Sequence, residues 1–238
     1  YDPVPFLQRL LLGRGRWSEA DFQNSHIDGI QFANGALNAG FSNGYKLWIK
    51  LLLQGKQITI FAGNDAHGNF NRYRQIGIPF LTITESQHQL FGKMRTGIYA
   101  TSKNKDDILY AAKKGKTIVT NGPVANITDP KTGKTLLGNI VSKDDIPLLQ
   151  FSGHSSPEFG MINLFRVLLG IYGEATERIY YENRSIHGYT FETNLHVPEI
   201  HINYIRLEVW TRIANDSQPN FCFTNPVWFK NANEIANQ

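Results

Sequence analysis

The residues best suited to chemistry are Asp65 and His67, in the run Gly63-Asn64-Asp65-Ala66-His67-Gly68. The preceding Gln57 to Ala62 (QITIFA) reads as a buried strand. Residues i and i+2 of an extended segment face the same way, so a carboxylate and an imidazole converge on one point. Asp oxygen and His nitrogen suit a divalent metal ion such as Zn²⁺, Mn²⁺ or Fe²⁺. The glycines on either side let the backbone turn sharply or approach a ligand closely. Taken alone, the triplet reads more simply as a capping Asp and a surface His in a loop.

Other candidates surround it. His88, in Ser86-Gln87-His88-Gln89, is placed to reach the same site from a following loop and contact substrate. Arg95, in Met94-Arg95-Thr96-Gly97, offers a planar fork to an anionic substrate group. A structural salt bridge would use Arg95 equally well. His26 lies in a polar loop, and His187, His196 and His201 sit in strand or turn contexts that read as structural. His154 lacks the Ser between glycines that a nucleophile elbow needs. Cys222 alternates with Phe221 and Phe223 and reads as a buried, inert thiol. Tyr180, Tyr181, Tyr189 and Trp210 fit either a sugar-binding face or cross-strand packing.

The elements that must position these residues change character near residue 123. Before it, strands and helices alternate. Asp28 to Phe32 reads as a strand, and a helix is expected from the N-cap Ser42 to Gly55. The strand before Asp65 follows, then Gly97 to Thr101, a helix over Lys105 to Lys114, and a strand over Thr117 to Thr120. That alternation implies a parallel sheet or a (β/α) barrel segment. The Lys113-Lys114-Gly115-Lys116 run reads as a helix end. After residue 123 the pattern is of short strands with turns, the clearest being Tyr204 to Ile213. There Ile205, Leu207 and Val209 alternate with Arg206, Glu208 and Trp210, as in a half-buried antiparallel strand. Six or so such strands suggest an immunoglobulin-like β-sandwich. The expected fold class is therefore α/β plus all-β, with domains at 1–123 and 124–238.

Composition narrows the function classes. The 238 residues are 41% hydrophobic and 18% charged, which excludes a disordered chain. The net charge of +4 is spread without any block of like charges, so nucleic acid is not an expected partner. No stretch approaches the roughly 18 apolar residues of a membrane span. Leu10-Leu11-Leu12 runs straight into Gly13-Arg14-Gly15-Arg16 and is no signal-peptide core. One cysteine rules out an internal disulfide. The compartment is left open.

Taken together, GKQITIFAGNDAHGNFN, RTGIYATS and DDILYAAKKGKTIVTNGP resemble the polymerase-and-histidinol-phosphatase (PHP) superfamily, in particular its CehA/McbA-type metallohydrolases. The helix Trp48-Ile49-Lys50-Leu51-Leu52-Leu53-Gln54-Gly55 resembles the family's Trp-x-x-Leu-Leu-x-x-Gly, one residue longer. The upstream Asp28 to Gly35 also fits, and the stretches Tyr204 to Glu208 and Phe223 to Trp228 resemble the β-sandwich commonly attached. The resemblance implies a metal-dependent hydrolase whose bound water attacks a phosphate ester or a related ester or carbamate. It implies that Asp65 and His67 are the last metal motif of a PHP-type barrel. The family's other motifs, beginning with His-x-His, have no counterpart upstream, where the one histidine is His26. A full barrel takes about 250 residues, so the chain, which starts at Tyr1, is expected to be the C-terminal part of that barrel followed by the sandwich. The rival expectation is a non-catalytic binding or scaffolding module whose sandwich recognises a partner or glycan.

Overall fold

The computed structural model describes residues 21–23, 27–64, 66, 91–213 and 218–230. Strand β1 (Gly29–Asn34) pairs in parallel with β2 (Thr59–Gly63), with Ile30 beside Ile60. Parallel neighbours need a crossover, and helix α1 (Ala39–Leu53) supplies it. Its apolar residues Phe41, Leu47, Trp48, Leu51 and Leu52 are all buried, and full burial of a leucine is worth roughly 1.5–3 kcal/mol. The N-cap is Asn38, whose side chain accepts from the Phe41 N–H at 2.9 Å. The helix thus begins a turn before Ser42, whose own N–H already donates to the Asn38 carbonyl. Gly55, at φ 87, ends it.

Among the described residues the expected barrel segment is not formed, and the chain is mostly β rather than α/β plus all-β. Strands β3 (Arg95–Ile98) and β4 (Thr117–Thr120) pair antiparallel with each other, although helix α2 (Lys105–Lys113) lies between them. A barrel needs parallel neighbours with each helix covering a sheet face. In α2 the single buried residue is Ala111, so this helix covers no sheet. It has Asn104 as N-cap and Lys114 as C-cap, so the lysine run does sit at a helix end. Strand–helix–strand alternation was a true local signal with a different tertiary outcome.

Three strands, β5 (Val124–Thr128), β7 (Leu148–His154) and β10 (Thr190–His196), form an antiparallel sheet in the order β10-β7-β5. A larger sheet joins β3 and β4 to β6 (Ile140–Ser142), β8 (Met161–Gly170), β9 (Arg178–Asn183), β11 (Tyr204–Arg212), β12 (Asn220–Thr224) and β13 (Val227–Lys230). Along one edge β11 pairs with β8; its other edge is shared by β12 and β13. The break between them is Asn225-Pro226, since proline has no N–H for a ladder. Residue 123 lies between β4 and β5, and β4 pairs with β12, so strands from both sides of that point share a sheet.

The larger sheet is covered twice. Ile127, Leu149 and Phe151 of the small sheet meet Val167, Leu207 and Val209 on one face, a sandwich arrangement. Phe32, Trp48, Leu52 and Ile60 of the β1–α1–β2 unit meet Tyr204, Phe221 and Phe223 on the other. Strand β11 is therefore buried on both faces, Arg206 and Glu208 included, and is not half-buried as its alternation implied. No described helix is long and apolar enough to cross a membrane.

Candidate functional site

The C-terminal end of β2 is where the sequence places its chemistry, and the structure anchors that end firmly. Ala62 donates its N–H to Thr96 Oγ1 at 2.8 Å. One residue past the strand, Asn64 makes a two-way clamp. Its Oδ1 accepts from the Met94 N–H at 2.6 Å, and its Nδ2 donates to the Met94 carbonyl at 3.0 Å. These bonds hold β2 to the segment entering β3, with no ladder pairing between the two strands. Beside this end, at the end of β1, Gln31 Nε2 donates to Asn34 Oδ1 at 3.1 Å. A cavity of about 390 Å³ opens there between β1 and the N-terminus of α1, lined by Gln31, Asn34, Asn38, Phe41 and Gly44 among others.

Asp65 follows Asn64 directly in the chain. It lies outside the described residues, as do His67, His88 and His26. Among the described residues no three of His, Cys, Asp or Glu gather where a metal ion could be held. His154, His187, His196 and His201 are exposed and scattered over strands and loops of the sandwich. Cys222 is fully buried, and burial pushes its thiol well above the ordinary range, so it is an inert core residue.

Arg95 is described, and it faces away from the β2 end. Met94 and Thr96 hold Asn64 and Ala62; alternation along the strand puts Arg95 on the opposite side, the side of its cross-strand partner Thr120. There its guanidinium lies over the Phe159 ring, 5.0 Å from the centroid. Its Nε is buried with no hydrogen-bond partner, a condition that costs about 1–3 kcal/mol in a folded protein. The structure does not bring Arg95 to the face where Asn64 is clamped.

The aromatic candidates do not form a common surface. Tyr181 stacks on Phe165 at 5.5 Å, and Trp210 packs against Phe221 and Phe223. Tyr180 and Tyr189 are each 37% exposed, and Tyr180 donates its hydroxyl to the His196 carbonyl.

A polar centre that the sequence did not announce lies between α1 and β11. Arg206 is fully buried. Its Nε and Nη2 donate to the two carboxylate oxygens of Glu177 at 2.6 and 2.5 Å, and Nη1 donates to Glu208 Oε1 at 2.7 Å. The guanidinium also stacks near Trp48 and Tyr45, 5.0 and 5.4 Å from their centroids. Tyr45 donates its hydroxyl to Glu208, and Tyr204 donates to Glu177. Burial works against the charge on Arg206, but Glu177, Tyr45 and Glu208 outweigh it and hold its pKa well above the arginine value. The signal was present as Arg206-x-Glu208 on one face of a strand, together with an aromatic helix that needed a sheet to cover. With its carboxylates engaged by the guanidinium, this centre locks α1 to the sheet and offers no free base.

Comparison with known protein families, curated proteins and solved structures finds no match.

Proposed function

We propose that the chain carries part of the metal site of a divalent-metal hydrolase, with Asp65 and His67 as ligands and a small phosphate ester, ester or carbamate as substrate. The observation that carries the reading is the end of β2. A parallel strand pair joined by a helix presents its carboxyl ends on one side, where ligands collect in α/β units. The Asp-x-His motif begins one residue after the Asn64 clamp at that end.

The donors fit a metal in kind. A carboxylate and a neutral imidazole suit Zn²⁺, Mn²⁺ or Fe²⁺, though a catalytic zinc site takes three protein ligands and this motif gives two. A bound ion would lower the pKa of a water and polarise the scissile phosphoryl or acyl group. The chain's own residues do the positioning. Asn64 spends its amide on Met94 and so fixes the backbone from which Asp65 departs. Thr96 accepts from Ala62 and keeps the strand end from fraying. The chemistry belongs to the family the sequence resembles; the scaffold here is not its barrel.

The test is elemental analysis of the purified protein and of Asp65→Ala/His67→Ala, with turnover of phosphodiester and carboxylic ester substrates. The double variant is expected to lose its bound metal, and turnover should drop by more than the roughly 10–100-fold that loss of an outer-shell group costs. Unchanged metal content and turnover would sink the assignment. A folded double variant with the wild-type thermal midpoint makes either result readable.

A further inference from the structure

The unpartnered guanidinium of Arg95 sits at a cleft of about 410 Å³, lined by Phe91, Lys93, Arg95, Asn121, Glu158 and Phe159 together with Gly92. It opens between the start of β3, the β4–β5 turn and the β7–β8 loop. We infer that this cleft binds a small oxyanion, a phosphate or carboxylate group, through Arg95. It faces away from the Asn64 clamp, and the inference does not rest on the hydrolase reading.

Three observations converge. The first is Arg95 itself: its Nε is buried without an acceptor, and it forms no ion pair with Glu158, the one acidic residue among the described residues lining the cleft. A guanidinium in this state asks for an oxyanion, which it takes through two parallel N–H bonds. The second is that the fork is held ready. Phe159 supplies the platform beneath it, and Phe159 is itself fixed: its carbonyl accepts from Asn220 Nδ2 at 2.9 Å and from the Thr211 hydroxyl, and its N–H donates to the Ser156 carbonyl. Gly122 lies so close that a Cβ there would stand 2.8 Å from the Phe159 ring. A preset fork loses little freedom on binding. The third is the composition of the wall. Asn121 accepts the Phe221 N–H on its Oδ1 at 2.6 Å, so what remains of its amide is a donor. A guanidinium without an ion pair and an amide donor, set against one exposed carboxylate, favour an anion.

The experiment is titration of the metal-chelated, full-length chain with inorganic phosphate and separately with malonate, read by calorimetry and by thermal midpoint against chloride at equal ionic strength. At least one of the two is expected to bind and raise the midpoint, and the better ligand tells phosphate from carboxylate recognition. Arg95→Gln should weaken that binding by about tenfold or more, as loss of a charge-assisted pair does, with Arg95→Lys between the two. Glu158→Gln, an exposed change that removes the opposing charge, should tighten binding several-fold. No binding above chloride, or equal binding in Arg95→Gln, overturns the site. Should Arg95→Gln fail to fold, unchanged affinity in Glu158→Gln overturns it instead.

Discussion

Arg206 shows how far a single residue's role can depart from its pattern. Its bonds to Glu177 and Glu208 run through a site with no exposed surface on the arginine. Removing one member of such a set leaves buried charge without compensation, which is worse than having no charges there. Arg206→Met is therefore expected to cost about 3–5 kcal/mol in denaturant unfolding, because Glu177 and Glu208 would face each other unpaired. Adding Glu177→Gln and Glu208→Gln should restore part of that loss. A cost under about 1 kcal/mol, the worth of a solvated surface pair, would show that water reaches the cluster. The sequence put Arg206, Glu208 and Trp210 on one face correctly. It assigned that face to solvent because charged side chains on an alternating strand are normally outside. What brings them inside is α1, some 160 residues earlier in the chain, whose Tyr45 bonds to both Arg206 and Glu208.

At the scale of elements, α1 and α2 look alike as sequence signals and behave differently. α1 is pressed onto β1 so closely that a Cβ at Gly44 would stand 2.5 Å from Phe32 Cβ. Alanine normally improves a helix by up to about 1 kcal/mol over glycine. Here the overlap is with a core residue's own Cβ, which cannot swing aside, so Gly44→Ala is expected to destabilise by about 1–3 kcal/mol. Stabilisation by that substitution, measured by urea unfolding, would mean that α1 has room to lift. In α2, by contrast, only Ala111 is buried, so the helix rests on its Asn104 cap and on its ends. Both helices were legible from glycines and periodicity, although Asn38 rather than Ser42 caps α1. Their strand partners were not, since local sequence does not say whether the strand after a helix returns parallel or antiparallel. β3 and β4 chose antiparallel pairing, and the barrel expectation fell with that choice.

At the scale of the whole molecule, both faces of the large sheet are covered and several acidic protons are sealed in. Burial is the leading cause that raises Cys222, Tyr99, Tyr45 and Tyr204 well above their ordinary values. In the unfolded chain a thiol ionises near pH 8.5 and phenols near 10. Above those values the unfolded state binds fewer protons than the folded one, so stability must fall as pH rises. It should be undiminished by these groups at neutral pH and decline progressively on the alkaline side. Guanidinium unfolding midpoints across that range would show it, and Cys222→Ala should delay the onset from the thiol range to the phenol range. A flat alkaline profile would contradict the sealing. By itself, the sequence determined that helices form before Gly55 and over Lys105–Lys113, that Tyr204–Arg212 is a strand, and that Cys222 is an inert thiol in an apolar strand. These are local properties, written in side-chain periodicity and turn chemistry. Only the tertiary structure decided that β3 and β4 join the sandwich sheet, that Arg206 is buried, and that Arg95 faces an open cleft with its Nε unpartnered. The first two depend on surfaces that meet across more than a hundred residues of chain, the third on a loop that brings Phe159 to Arg95, and the drive to bury apolar area is indifferent to sequence distance.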